Sequence, residues 1–451
     1  VETSTYYCDL QKKKKNIYRP VSLTSVPCKV LETILRKAII GHMKRNSFLT
    51  PYQYGFVERR STTLQLLHTV EDWVRRIDNN DILDVCYLDL MKAFDSVPHR
   101  RLMEKIYSYG VRGGILSWID SFLNGRSQIV RINGCCSTPR AVLSGVPQGS
   151  VLGPVLFVLY INDMPEEIQS SIKLYADDAK LYYPIRTPED ERQLQQDITA
   201  LEAWSSRWLL RFHPEKCTML RVGLREAPRN NYKMQNNDNP VTLIWKNEER
   251  DLGVQIDSKL NFQKEVDLRV KKANSLVGLI RRSFNYLTKH TFLHLYKAIV
   301  RPHLEYAVSV WAPNLKRNIS KIENVQRRAT RQIPGFQHLS YPERLKELNL
   351  PTLQFRRLRG DLIETYKIIN SIYDIPPEDF FYLSSTITRG HSKKIDKPRS
   401  STRLRINSFS YRIINHWNNL PESVISAPSV NIFKNRLDKH WKNHPQLYQP
   451  S

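Results

Sequence analysis

The chain has 451 residues, more than one ordinary hydrophobic core holds, so two or three domains are expected. Hydrophobic residues at 41% and charged residues at 25% exclude bulk disorder. Lysine and arginine number 69 against 44 acids, a formal net charge of +25; a polyanion is needed to screen that self-repulsion, which points to nucleic acid as the partner.

The cysteines are Cys8, Cys28, Cys86, Cys135, Cys136 and Cys217. They form no CxxC pair, so their spacing indicates neither a zinc site nor a redox motif. With no visible signal peptide they are expected as reduced thiols in an intracellular protein. No apolar run reaches membrane-span length, so no membrane partner is expected. The chain opens on Val1 and is read as a fragment or processed piece.

In chain order, Lys12 to Lys15 form a basic run that suits a solvated loop, a nuclear signal or a phosphate contact. Ser25 to Lys44 carries Val30, Ile34, Ala38 and Ile39 at helical period. Asp84 to Asp89, DVCYLD, is a short buried strand that ends in an acid. Gln128 to Ile132 alternates before Asn133-Gly134, a hairpin signal. Gly145 to Gly153 is turn-rich, and Pro154 to Ile161 follows as an apolar helix with proline in its first turn. Ile172 to Tyr183 reads as two strands flanking Asp177 and Asp178. Leu194, Ile198, Leu201, Trp204 and Trp208 form a helical core stripe.

From Asp257 the pattern turns helical, with one stripe at Val266, Val270, Ala273, Val277 and Ile280 and another at Phe292, Leu295, Tyr296 and Ile299. Pro376 to Arg405 is expected to be a mobile basic linker, and Phe409 to Trp441 helical.

Nucleotidyl transfer asks for a few acids on strand ends, gathered by the fold around two divalent cations. YLDLMKAFDSVPH places Asp89 at a strand end, and YADD places Asp177 and Asp178 at a hairpin tip. Two like charges about 4 Å apart repel by roughly 4 kcal/mol at an effective dielectric near 20, so a buried cluster of three implies metal.

The ordered blocks NIYRPVSLTS, QYGF, YLDLMKAFDSVPH, SGVPQGSVLGPVLFVLYINDM, LYADDAKLY, WLLRFHPEKC and RDLGVQID resemble the reverse transcriptase of non-LTR (LINE-type) retrotransposons, of the Jockey and chicken-repeat-like kind, over residues 16–262. The resemblance implies an α+β right-hand polymerase: fingers and an antiparallel palm sheet in 1–256, a mainly helical thumb and post-palm region in 257–375, and a basic linker with a C-terminal helical segment in 376–451. It implies an RNA-directed DNA polymerase that uses two Mg2+ ions, with Mn2+ as a substitute. The implied partners are an RNA template, a DNA primer, the RNA–DNA hybrid and dNTPs; the implied place of work is the nucleus.

By the same resemblance Asp89 and Asp177 are the main metal ligands, with Asp178 and the Leu90 carbonyl beside them. Phe94 is the steric gate against a ribose 2′-OH, and core packing is the alternative role for its ring. Gln148 and Gly149 line the nucleotide pocket, Gly149 by allowing close backbone approach. Arg19 and Lys29 hold the triphosphate. Lys216 protonates the leaving pyrophosphate or is a solvated charge. Leu252 and Gly253 support the primer terminus or are a plain strand turn. Lys271, Lys272, Arg281 and Arg282 face the template–primer backbone or solvent.

The fingers block departs from the family's NYRP by the inserted Ile17. Nothing resembles an endonuclease, an RNase H acid set or a zinc knuckle, so nicking of target DNA is expected to lie outside this chain. Two other readings stand beside the polymerase: a decayed nucleic-acid-binding relic, and an RNA-dependent RNA polymerase, against which Phe94 and SGVPQGS argue.

Overall fold

The computed structural model describes residues 22, 24–132, 135–236, 239–284, 286–384, 390–400 and 402–450, and the backbone of 4–7. Cys8, the Lys12–Lys15 run, Arg19 and Asn133-Gly134 lie outside the described residues. By contact the chain forms two compact units. The first comprises Val1–Val57, Leu83–Arg221 and Ala227–Lys246; the second comprises Glu58–Ile82, Val222–Glu226 and Asn247–Ser451.

The first unit is built on a five-stranded sheet. Its strands are β1 (Leu83–Leu88), β2 (Ser171–Tyr175), β3 (Asp178–Pro184), β4 (Thr218–Val222) and β5 (Ile244–Lys246), in the order β5-β4-β1-β3-β2. β1 and β2 both run antiparallel to β3. β5 departs from the expected all-antiparallel sheet by pairing parallel to β4, Ile244 opposite Thr218. The chain between them is long enough for the crossover that a parallel pair requires.

The hairpin tip is displaced by one residue from the expectation. Tyr175 pairs with Asp178, so the two-residue turn is Ala176-Asp177 and Asp178 opens β3. Ala176 has φ +54°, the left-handed value that the first turn position of a type II′ hairpin takes.

Helices cover the sheet. Gly153–Tyr160 has proline in its first turn and is buried along its described length apart from Pro154. Pro188–Trp208 packs Leu194, Ile198, Leu201 and Trp204 into the core as a 3.6-residue stripe. The helix expected near Ser25 to Lys44 spans Val26–Arg45, but its expected apolar stripe is split: Val30 and Ile34 are exposed and Ile39 is buried, together with Glu32 and Met43.

Two buried cations brace this unit. The Arg221 guanidinium forks onto Asp84, Nε to Oδ1 at 2.6 Å and Nη2 to Oδ2 at 2.7 Å, and the Tyr232 hydroxyl donates to Oδ2 at 2.8 Å. Burial alone would lower the arginine's pKa, but the hydrogen bonds and charge of Asp84 hold it above the ordinary value. Lys105 Nζ sits 3.7 Å from the Trp208 ring centroid and 2.5 Å from Asp163, with its side chain 3% exposed.

The second unit holds a hairpin and a helical array. β6 (Glu248–Asp251) and β7 (Val254–Asp257) are joined by Leu252-Gly253, both at positive φ, as a type I′ turn requires. The Thr62–Asp78 helix lies early in the chain yet belongs here, with Leu66, Leu67, Val70, Trp73, Val74 and Ile77 buried. Its buried Glu71 accepts from Arg405 Nη1 at 2.6 Å and from Ser410 Oγ at 2.7 Å. This grouping follows tertiary contacts and so crosses a sequence division at 256 and 375. Within Pro376 to Arg405, His391 and Ile395 are buried, and His391 Nε2 lies 3.0 Å from the Trp417 carbonyl. No described helix is long and apolar enough to cross a membrane.

Candidate active site

Asp89 directly follows β1, whose last ladder pair is Leu88 with Ala179. It thus leaves the sheet beside the β2–β3 turn that carries Asp177. Its amide approaches the Cys217 sulfur at 3.4 Å and its carbonyl accepts from His213 N at 2.8 Å. Leu90 bridges to Phe212. Burial pushes the Cys217 thiol up to about 11, so it stays neutral beside the acid.

Asp89, Leu90 and Asp177 line one hollow of about 1200 Å3, and Phe94, Gln148, Gly149 and Lys216 line it too. The Lys216 ammonium stands 3.4 Å from Asp89 Oδ2, with both side chains open to solvent. Asp178 is exposed and outside the hollow's lining.

Among the described residues no three His, Cys, Asp or Glu side chains form a ready-made metal cage. The acids expected as a trio are arranged as a pair at the hollow. Such a pair suits Mg2+, which takes one or two carboxylates and completes its shell with water and phosphate oxygens. The cationic Lys216 beside Asp89 shows that the wall already attracts positive charge.

The loop of Gly145 to Leu152 is locked to the turn after Asp89. Val146 N donates to the Phe94 carbonyl at 2.7 Å and Gly145 N to the Val97 carbonyl at 2.8 Å. Gly145 has φ +90°, and a Cβ there would lie 2.7 Å from Asp95 Cα. Gly149 also carries a positive φ, +97°, a backbone conformation that favours glycine. Gln148 Nε2 donates to Asp95 Oδ1 at 2.9 Å. The Phe94 ring stacks on Phe157 at 4.5 Å between centroids and meets Phe56 edge-on at 6.3 Å.

Sequence reasoning missed three contributors. Asp95 orients Gln148. Arg126, 7% exposed, lines the hollow from the foot of the Ser127–Ile132 strand. Glu32, fully buried, accepts from Val151 N at 2.7 Å and Leu152 N at 2.9 Å, capping the Gly153–Tyr160 helix. Asp95 stood inside the quoted YLDLMKAFDSVPH block; for Glu32 and Arg126 the local pattern carried no signal. Lys29 is exposed on the first turn of Val26–Arg45 and does not line the hollow.

The remaining expected residues lie in the second unit. The Leu252 carbonyl accepts from the Tyr306 hydroxyl at 2.7 Å, and the Gly253 carbonyl from Arg269 Nη2 at 2.7 Å. On the Gln263–Ser283 helix, Val266, Ala273, Val277 and Ile280 are buried, and Lys271, Lys272, Arg281 and Arg282 are exposed.

Residues 10–273 match the family model "Reverse transcriptase (RNA-dependent DNA polymerase)". The chain is 31% identical over 330 residues to the probable RNA-directed DNA polymerase from transposon X-element of Drosophila melanogaster, covering 70% of this chain and 36% of that protein. It is 29% identical over 336 residues to the RNA-directed DNA polymerase from mobile element jockey of Drosophila funebris, with the same coverage of 70% and 36%. It thus spans about a third of these relatives. Apo telomerase from Candida tropicalis aligns at a TM-score of 0.43 and 10% identity, over 82% of this chain and 63% of that one.

Proposed function

Because this chain belongs to the reverse transcriptase (RNA-dependent DNA polymerase) family, we propose that it is the polymerase part of a non-LTR mobile element, adding dNTPs to a primer 3′-OH on an RNA template. The observation that carries the reading is that Asp89, just after β1, and Asp177, in the β2–β3 turn, wall one hollow with Phe94 and Gln148.

Two divalent cations supply activation of the 3′-OH and neutralisation of the phosphate charge in this chemistry. Asp89 and Asp177 would hold them, with the Leu90 carbonyl and Asp178 in lesser roles. Phe94, backed by Phe157, presents a flat ring that leaves no room for a 2′-OH. Gln148, oriented by Asp95, and Gly149 contact the incoming nucleotide, and Lys29 and Arg19 belong to triphosphate binding. Lys216 delivers a proton to the leaving pyrophosphate oxygen, and Asp89 keeps its ammonium at the hollow.

In the same reading residues 1–256 are fingers and palm, 257–375 thumb, and 376–451 a C-terminal extension. Leu252 and Gly253 support the primer end. Lys271, Lys272, Arg281 and Arg282 run along the hybrid backbone, which their exposed placement on an otherwise packed helix supports. An enzyme that copies into chromosomal DNA works in the nucleus.

The test is extension of oligo(dT) on poly(rA) by the purified chain with Mg2+. We expect dTTP addition and exclusion of UTP. A chain that binds hybrid in a salt-dependent way without extending it is a relic. One that prefers UTP is an RNA polymerase. Either result overturns the proposal.

A further inference from the structure

Of the blocks that carry the resemblance, QYGF has no role in the chemistry above. Its first residue, Gln53, is polar, 1% exposed, and sits behind the Ala176-Asp177 turn. Gln53 Oε1 accepts two backbone hydrogen bonds, from Gly55 N at 2.7 Å and from Ala176 N at 2.9 Å.

The segment is laid against β2 by its own backbone. Tyr54 N donates to the Leu174 carbonyl at 2.8 Å, and Leu174 N donates to the Tyr52 carbonyl at 2.9 Å, a parallel bridge with Gln53 opposite Leu174. Gly55 then passes so close to the turn that a Cβ would lie 2.4 Å from Ala176 N and 3.0 Å from the Tyr175 carbonyl carbon. Only glycine permits this approach. The next residue, Phe56, meets Phe94 edge-on.

The turn needs such a hold. Ala176 carries a Cβ at φ +54°, in the left-handed region that L-residues avoid unless the surroundings over-determine them. Ala176 is 5% exposed, so the hold comes from packed neighbours, Gln53 and Gly55 among them. The Gln53 acceptor fixes the Ala176 amide, and the peptide after it carries Asp177.

We propose that Gln53, with Gly55, is a positioning residue for Asp177: its buried carbonyl oxygen clamps the strained turn so that the Asp177 carboxylate faces the hollow. The same four residues then reach the Phe94 ring, so one segment sets both the acid and the gate. This rests on the reading of Asp177 as a cation-holding acid.

The test compares the full chain with Gln53→Met, which keeps length and loses the acceptor, and Gln53→Glu, which keeps an acceptor at the same reach. Mn2+ affinity is read by electron paramagnetic resonance without substrate, alongside kcat and KM for dTTP, with Asp177→Asn as control. For Gln53→Met we expect weaker Mn2+ binding and a kcat about a hundredfold lower, with KM for dTTP within about threefold of wild type. Gln53→Glu should recover most of the loss in both readouts. Wild-type Mn2+ binding and kcat in Gln53→Met, or no recovery in Gln53→Glu, overturns the inference while Asp177→Asn still shows its own loss. Unchanged Mn2+ binding and extension in Asp177→Asn instead sinks the reading beneath it. Should Gln53→Met not fold, the recovery in Gln53→Glu alone decides, with values below a tenth of wild type counting against the clamp.

Discussion

The Lys216 ammonium lies 3.4 Å from the Asp89 carboxylate across the mouth of the hollow. The two residues are 127 positions apart, and a chain of backbone bonds brings them together: His213 N to the Asp89 carbonyl, and Lys216 N to the His213 carbonyl at 2.9 Å. The pair is solvent-exposed, so its own stabilisation is small.

Two opposite effects are therefore expected of Lys216→Met. Loss of the proposed acid should lower kcat by about 100-fold or more. Loss of the competing cation tightens Mn2+ binding to the free enzyme by up to about fivefold, the scale of an exposed charge pair. Rate and metal titrations check both; a lower rate with weaker metal binding would contradict the assignment.

Phe94→Ala should open the hollow to ribonucleotides. One pocket contact is worth about 10- to 200-fold in discrimination, so the dTTP/UTP ratio of kcat/KM should fall by that order. Its ring also covers Phe157, so the variant is expected to melt earlier. An unchanged ratio in a destabilised variant would leave the ring a core residue.

Asp84 and Asp89 lie five positions apart yet call for opposite outcomes. Asp84→Asn removes the bidentate partner of the Arg221 guanidinium, 7% exposed, and leaves Glu191 at 3.8 Å, a cost of up to about 3–5 kcal/mol. Urea unfolding should show that loss, while extension per folded molecule stays unchanged. Asp89→Asn should show the reverse, because its side chain is 45% exposed.

Lys105 links stability to pH. Burial pushes its pKa down from 10.5 to about 8, against the pull of Asp163. The folded value lies below the unfolded one, so between these limits the unfolded chain binds more protons and stability rises with pH. Below about pH 8 the penalty for the buried charge is present in full. Relative to Lys105→Met, the wild type should therefore gain up to about 3 kcal/mol between pH 7.5 and 10.5. Denaturation curves at both pH values check this; a constant difference would contradict it.

What the sequence shows of this protein follows the range of the interactions. Strand Leu83–Leu88, the Ile172–Tyr183 hairpin and the Pro188–Trp208 stripe are written in neighbouring residues and are found within a residue of the expectation. Whether an apolar stripe is core is decided by distant partners: Val30 and Ile34 mark a real helix but face outward, and it is held by the buried Glu32, Ile39 and Met43. Likewise Asp84 and Asp89 share one strand-like block, and only Arg221 and Tyr232 make the first structural. The Thr62–Asp78 helix joins a unit made mostly of residues beyond 247, a pairing without local signature. Gln53, Glu32 and Arg126 act through bonds that reach across the chain, which periodicity does not report.

The most direct measurement is primer extension on poly(rA)/oligo(dT) by Asp89→Asn and Asp177→Asn, with hybrid binding measured in parallel. Removing a ligand that holds the catalytic cation costs several kcal/mol of transition-state stabilisation, so each variant should lose about a thousandfold in rate. Hybrid affinity should hold near wild type, because the lysines and arginines proposed to contact phosphate are untouched. Extension at the wild-type rate by either variant would contradict the account.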